Sequence, residues 1–220
     1  IRLKKPELQV QTLRKGDINM SREKILSIIR WLVNRLVNLR VVNGNNIPPT
    51  GGYLVVTSHI SRLDTPFLML STFRKDIIGM LAREYERKPF FRWVLNAIKV
   101  IWVSRTEFDF AAFREAVNYM KQGWIVGMAP EGTRSKDGKL LEGKQGAALL
   151  AGKAAVQVIP AAVFGSNLMF EQWSKLRKMQ VEVIFGEPFS LPEQGDDQKA
   201  WLAQATDEIM CRIAVLLPPE

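Results

Sequence analysis

The sequence predicts an α/β fold: a mostly parallel central sheet covered by helices on both faces, preceded by an N-terminal amphipathic helical arm. Three observations carry that prediction. Short apolar runs of strand length alternate with longer amphipathic stretches of helical period from residue 53 onward. The runs 53–56, 100–103, 124–128 and 156–163 are apolar at nearly every position, which suits strands buried on both faces. At 220 residues and 47% hydrophobic content, the chain can bury one full α/β core.

Residues 1–19 are mixed, basic and aperiodic. Met20-Ser21-Arg22-Glu23 reads as a natural start, so 1–19 is expected to be a leader or an added segment outside the fold. Ser21 is an N-cap candidate for a helix running to about Asn38, the arm 20–38. On a helical wheel Ile25, Ile28, Ile29, Leu32, Leu36 and Leu39 share a face, Ser27, Arg30, Asn34 and Asn38 lie opposite, and Arg35 sits at the border. Such a helix can lie flat in a bilayer interface through Ile25, Ile28, Ile29, Leu32 and Leu36, with Trp31 at headgroup depth. The same pattern also suits a helix packed on its own domain. Its place beside the basic end of the chain favours the membrane.

A short strand over 39–42 leads into Asn43 to Gly52, which is turn chemistry throughout. The elements expected next are a strand over 53–57, a helix over about 64–73 and a strand over 76–81. A helix over 88–98 follows, its narrow polar stripe (Lys88, Arg92, Asn96, Lys99) set against a wide apolar face that reads as core, with a second membrane-contacting patch as the alternative. A strand over 100–103 precedes a helix over 107–121 that stops before Gly123. The rest reads as a strand at 124–128, a turn at Asp137-Gly138, a small-residue helix over 143–155, strands at 156–163 and 181–185, and a helix over 198–217 ended by Pro218-Pro219. No repeat or low-complexity linker divides the chain, so 39–220 is read as one domain.

The net charge is +9, and residues 1–40 alone hold ten Lys/Arg against three Asp/Glu. The basic excess therefore belongs to the N-terminal arm and implies an anionic surface as its partner. Nucleic acid is the weakest reading of that partner, because charge is nearly balanced over the remaining residues and no aromatic-basic platform is present. Anionic phospholipid fits better. No apolar run approaches the ~20 residues of a spanning helix. Cys211 is the only cysteine and His59 the only histidine, which argues against a disulfide framework and a dedicated metal site, so none is assigned. The expectation is a peripheral or monotopic protein on the cytoplasmic face of a membrane.

Three polar clusters each follow an apolar strand: His59 with Asp64, Arg105, and Glu131-Gly132-Thr133-Arg134. In α/β sheets ligands bind at the carboxyl ends of the strands. An imidazole titrates near neutral pH and can take and return a proton. If the chain turns from strand into helix after His59, the Asp64 carboxylate folds back beside the ring and fixes its tautomer. The alternative is a surface histidine near a capping aspartate. Arg105 and Arg134 offer forks that match phosphate oxygens, Gly132 allows close backbone approach, and Thr133 adds a hydroxyl. A base beside an anion clamp implies an acceptor carrying both a hydroxyl and a phosphate.

In order and spacing these residues resemble the glycerolipid acyltransferase superfamily, most closely the 1-acylglycerol-3-phosphate O-acyltransferases. His59 and Asp64 match the family's His-x4-Asp motif, with Ser61 at a frequently polar position. Val103-Ser104-Arg105 matches a strand ending in Arg, Pro130 to Ser135 matches Pro-Glu-Gly-Thr-Arg-Ser in full, and Val158-Ile159-Pro160-Ala161 matches an apolar strand with a proline. Ser58 stands where family members often have Asn, and Ser104 where they often have Asp. The resemblance implies that His59 is a general base held by Asp64, acting on the acceptor hydroxyl as it attacks an acyl thioester. Acyl-CoA or acyl-carrier protein would be the donor co-substrate, with no bound cofactor. It implies acceptor binding by Arg105 and Arg134, with Glu131, Gly132, Thr133, Ser61 and Lys144 shaping the site, and a lysophospholipid as acceptor. Other acceptors stay open at this point: glycerol-3-phosphate, another lysophospholipid, or a lyso-aminolipid. So does a catalytically silent lipid-binding protein.

Overall fold

The computed structural model describes residues 20–87, 95, 99–104, 106–168, 171–172 and 177–218. Its elements are α1 (Met20–Leu36), β1 (Val37–Val42), β2 (Tyr53–Thr57), α2 (Asp64–Leu70), β3 (Ile77–Ala82), β4 (Ile101–Val103), α3 (Phe110–Lys121), β5 (Ile125–Met128), α4 (Gly146–Ala154), β6 (Gln157–Phe164), β7 (Met179–Phe185) and α5 (Gln198–Ala214). The seven strands form one sheet in the order β1-β7-β6-β2-β5-β3-β4. Strands β6, β2, β5, β3 and β4 run parallel. The β7 strand is antiparallel to β6, and β1 pairs in parallel with β7, so these two run the other way.

Each central strand feeds both faces of the sheet, as its continuous apolar run requires. Leu54, Val56 and Val126 meet Ala116, Met120, Ala148, Ala151, Trp201 and Ile209 from α3, α4 and α5. Val55, Ile159, Val163 and Phe185 meet Phe67 and Leu68 of α2 on the other face, where α1 also packs. The amino-terminal edge of the sheet is held by buried Arg74. Its guanidinium forks onto Asp76 at 2.9 and 2.7 Å and donates to the carbonyls of Pro48, Gly51 and Gly123, which precede β2 and β5. Gly52 lies so close to α3 that a Cβ there would stand 1.9 Å from the Met120 carbonyl oxygen.

Several expected boundaries move, each for a local reason. The α1 helix ends at Leu36, and β1 begins two residues earlier than expected because Val37 pairs with Met179 and is buried. The α2 helix stops at Leu70, where the Ser71 hydroxyl donates back to the Phe67 carbonyl at 2.6 Å. The α3 helix starts at Phe110 because Asp109 caps it, accepting from Ala112 N at 3.1 Å. The α4 helix starts at Gly146, three residues later than expected. The helix expected over 88–98 lies outside the described residues except Leu95, which is buried. The segment 1–19 lies outside them as well.

The arm divides the residues expected at the membrane into two sets. Ile25 and Ile29, placed with the membrane-contacting residues, pack against the core together with Leu26 and Val33. Ile28, Trp31, Leu32 and Leu36 remain 59%, 66%, 43% and 43% exposed. The apolar arc is wider than the strip that the domain covers, so one edge of it is buried and the other faces outward. No helix among the described residues is long and apolar enough to cross a membrane.

Candidate active site

The central strand β2 is flanked by β5 and β6, so the turns leaving all three strands meet at one edge of the sheet. The β2 turn carries His59 and returns through Asp64 in the first turn of α2. His59 Nδ1 lies 3.1 Å from Asp64 Oδ2. The same oxygen accepts from Ile60 N at 2.8 Å and Ser61 N at 2.7 Å. The Nδ1–H tautomer is the one in which the ring donates to an oxygen that already accepts two N–H groups. Nε2 is the nitrogen that Asp64 does not engage. Asp64 is fully buried, while the His59 side chain keeps 13% exposure.

The β5 turn locks the His59 backbone in place. His59 N donates to Glu131 Oε1 at 2.7 Å, and the His59 carbonyl accepts from Ser135 N at 2.8 Å. Glu131 Oε2 accepts from Leu141 N at 3.0 Å. Glu131 is buried, and burial raises its pKa above the ordinary glutamate value against the lowering effect of these two N–H donors. Each carboxylate oxygen thus holds a backbone N–H of a neighbouring loop, so Glu131 ties the His59 turn to the loop after β5. Ser61 is likewise engaged within the turn. Its hydroxyl is buried, donates to Ser166 O at 3.0 Å and accepts from Leu63 N at 3.2 Å.

A cavity of about 460 Å³ opens at His59 and runs between α3, α4 and α5, a volume in the usual range of ligand pockets. Its walls are largely apolar, with Met80, Val103, Phe113, Met128, Leu150 and Leu202 among them. Gly132 and Lys144 line it beside His59. Gly132 has φ +67°, and a Cβ there would stand 3.1 Å from Lys144 Cδ, so glycine makes room for the lysine. Lys144 N donates to the Pro130 carbonyl at 2.9 Å, which ties it to the same turn. Thr133 is exposed and Arg134 half-buried, and neither lines the cavity. Arg105 lies outside the described residues. Its neighbour Ser104 lines the cavity and donates its N–H to Asp109 at 3.3 Å. Asp109 also pairs with Arg83 at 3.1 Å. Burial, the largest single influence on Asp109, works upward, but Ala112 N–H, Ser104 N–H and Arg83 together hold its pKa below the ordinary aspartate value.

Sequence reasoning missed Ser166. Its hydroxyl donates to Asp64 Oδ1 at 2.5 Å from a short helical turn after β6. The available signal was Gly165-Ser166 at the end of the proline-bearing strand.

The Acyltransferase family profile matches residues 38–164, more than half of the chain. The chain is 29% identical over 147 residues to the 1-acyl-sn-glycerol-3-phosphate acyltransferase of Borreliella burgdorferi, covering 66% of this chain and 58% of that protein. It is 26% identical over 179 residues to the protein of that name from Bacillus subtilis, covering 81% and 87%. In fold it resembles the 1-acyl-sn-glycerophosphate (LPA) acyltransferase PlsC from Thermotoga maritima, with TM-score 0.64 and 24% identity over 89% of this chain and 80% of that one. The profile match, running from β1 to the end of β6 and covering the turns after β2 and β5, shows that the chain belongs to the acyltransferase family.

Proposed function

We propose that the protein transfers a fatty acyl group from an acyl thioester, acyl-CoA or acyl-carrier protein, to the free hydroxyl of 1-acylglycerol-3-phosphate, giving phosphatidic acid. The observation that carries this reading is the His59–Asp64 couple at the mouth of an apolar cavity. Asp64 keeps the proton on Nδ1, so Nε2 accepts the hydroxyl proton as the acceptor oxygen attacks the thioester carbonyl. The tetrahedral intermediate collapses with loss of thiolate, which recovers the proton from Nε2. The ester bond forms as the thioester bond breaks, and no acyl-enzyme is required. Lys144, Arg134 and Arg105 are the cations proposed for the acceptor phosphate, and the apolar cavity suits a fatty chain.

A membrane surface is the proposed source of the acceptor. The outward stripe Ile28, Trp31, Leu32 and Leu36 suits insertion into an anionic leaflet. Because β1 runs against β2, the end of α1 lies at the same sheet edge as His59. Phe108 and Phe110, 48% and 71% exposed, follow β4 at that edge.

The experiment is an acceptor panel with labelled acyl thioester: 1-acylglycerol-3-phosphate, glycerol-3-phosphate, an uncharged lysolipid and a lyso-aminolipid. Preferred turnover of 1-acylglycerol-3-phosphate supports the proposal. Preference for another acceptor reassigns the substrate, and liposome binding without any transfer makes the protein a silent lipid binder.

A further inference from the structure

We infer that Ser166 is a positioning residue for the His59–Asp64 couple, its hydroxyl holding the second oxygen of Asp64 and so fixing the carboxylate plane toward the ring. The inference rests on the proposed role of His59 as base. Asp64 Oδ2 is occupied by the Ile60 and Ser61 N–H groups and by His59 Nδ1. Its other oxygen, Oδ1, receives the Ser166 hydroxyl at 2.5 Å. Asp64 is 0% and Ser166 1% exposed, so bulk water is no ready substitute for that donor.

Ser166 reaches the site from 102 residues further along the chain, and the fold makes that arrival specific. The β6 strand lies beside β2, with Ala161 opposite Thr57, so both strands end at the same edge. Gly165 then turns with φ +77°, where a Cβ would stand 2.1 Å from the Gln180 carbonyl oxygen. Only glycine passes that point, and the next residue is delivered against Asp64. A second tie runs the other way, as Ser61 Oγ donates to the Ser166 carbonyl at 3.0 Å. The three residues close a ring. The Ser166 hydroxyl binds Asp64, the Ser61 hydroxyl binds Ser166, and the Ser61 N–H binds Asp64.

The physical consequence is orientation. A buried carboxylate held at one oxygen can rotate about its last side-chain bond. That rotation weakens the acceptor for Nδ1–H and releases the ring from a single tautomer. Nε2 is then the free base for only part of the time. Ser166 does not line the cavity, so it acts through Asp64 and not on substrate.

The test uses Ser166→Ala, Ser166→Thr and Ser166→Cys in the full chain, with circular dichroism and thermal melts. Ser166→Ala is expected to fold and to lose kcat by about 10- to 100-fold, as for a lost hydrogen bond to a charged group, with acceptor KM little changed. Ser166→Thr is expected to recover most of that loss. Because His59 is the only histidine, ¹⁵N-imidazole NMR reads one ring. It should show the Nδ1-protonated tautomer in wild type and Ser166→Thr, and a mixture in Ser166→Ala. An unchanged ring spectrum in Ser166→Ala overturns the inference, whether kcat is kept or is lost without recovery by Thr. If Ser166→Ala fails to fold, Ser166→Cys keeps the volume with a weaker donor and should show the same two changes at smaller amplitude; its unchanged ring spectrum is then the overturning result. Should His59→Ala retain turnover, the base role fails, and the ring spectrum still decides the Ser166 contact by itself.

Discussion

His59 and Glu131 are joined across 72 residues by a single 2.7 Å hydrogen bond, in which the backbone N–H of the histidine donates to the glutamate carboxylate. The bond makes the turns after β2 and β5 one unit, because the other oxygen of the same carboxylate holds Leu141 N. Glutamine at 131 offers one acceptor oxygen where glutamate offers two. Glu131→Gln should therefore leave one N–H unpaired, at a cost of about 1–3 kcal/mol, and lower kcat as the turn loosens. Urea titration and steady-state kinetics on the variant check both outcomes.

The same residue gives a pH dependence. Burial raises the Glu131 pKa in the fold above that of the unfolded chain. The folded state then binds the proton more tightly, so this group's contribution to stability falls as pH rises from the ordinary glutamate value through the raised one. Glu131→Gln has no proton to lose. As pH rises from the ordinary glutamate value through the raised one, the stability difference between variant and wild type should shift in favour of the variant. Urea midpoints measured in parallel at each pH report it, and a flat difference would contradict the burial argument.

Arg74 separates stability from catalysis. It binds Asp76 and three carbonyls at the amino-terminal edge of the sheet, opposite His59. Arg74→Met keeps much of the volume but removes the ion pair with Asp76 and the donor to those carbonyls, so it should cost about 3–5 kcal/mol. In the molecules that fold, acceptor KM should be unchanged. Thermal melts and kinetics on the same preparation check the pair of outcomes.

The two edges of the α1 apolar arc should respond differently to substitution. Changing Ile28, Trp31, Leu32 and Leu36 to serine should release the protein from anionic vesicles with little change in melting temperature, because these side chains face outward. Ile25→Ala and Ile29→Ala remove side chains packed on the core and should cost roughly 1–3 kcal/mol each. Vesicle sedimentation and melts on both sets check the assignment. Vesicle binding that survives the quadruple change would move the contact elsewhere, with Phe108 and Phe110 the next residues to change.

Much of this was legible in the chain. Strands β2, β5 and β6 are buried on both faces, so their sequences are continuous apolar runs that admit few other readings. The polar clusters at their ends follow from the turns such strands need. Strand direction was not legible, since an alternating pattern reads alike both ways, and the reversal of β1 and β7 emerges only from pairing. The start of β7 was hidden because Gln180 separates Met179 from the apolar positions that follow. The partners of the Glu131 carboxylate were not legible, because they are backbone N–H groups, which every residue but proline carries and no motif marks. Ser166 escaped for the complementary reason: its partner is a single side chain 102 residues away.

The central claim is that the His59 ring, held by Asp64, takes the proton from the acceptor hydroxyl. Single-turnover transfer from a labelled acyl thioester to 1-acylglycerol-3-phosphate by His59→Ala tests it most directly, with a thermal melt to establish that the fold is kept. Loss of a positioned base predicts a fall of about 10²- to 10⁴-fold in rate. A folded His59→Ala protein that transfers the acyl group at close to the wild-type rate would contradict the account.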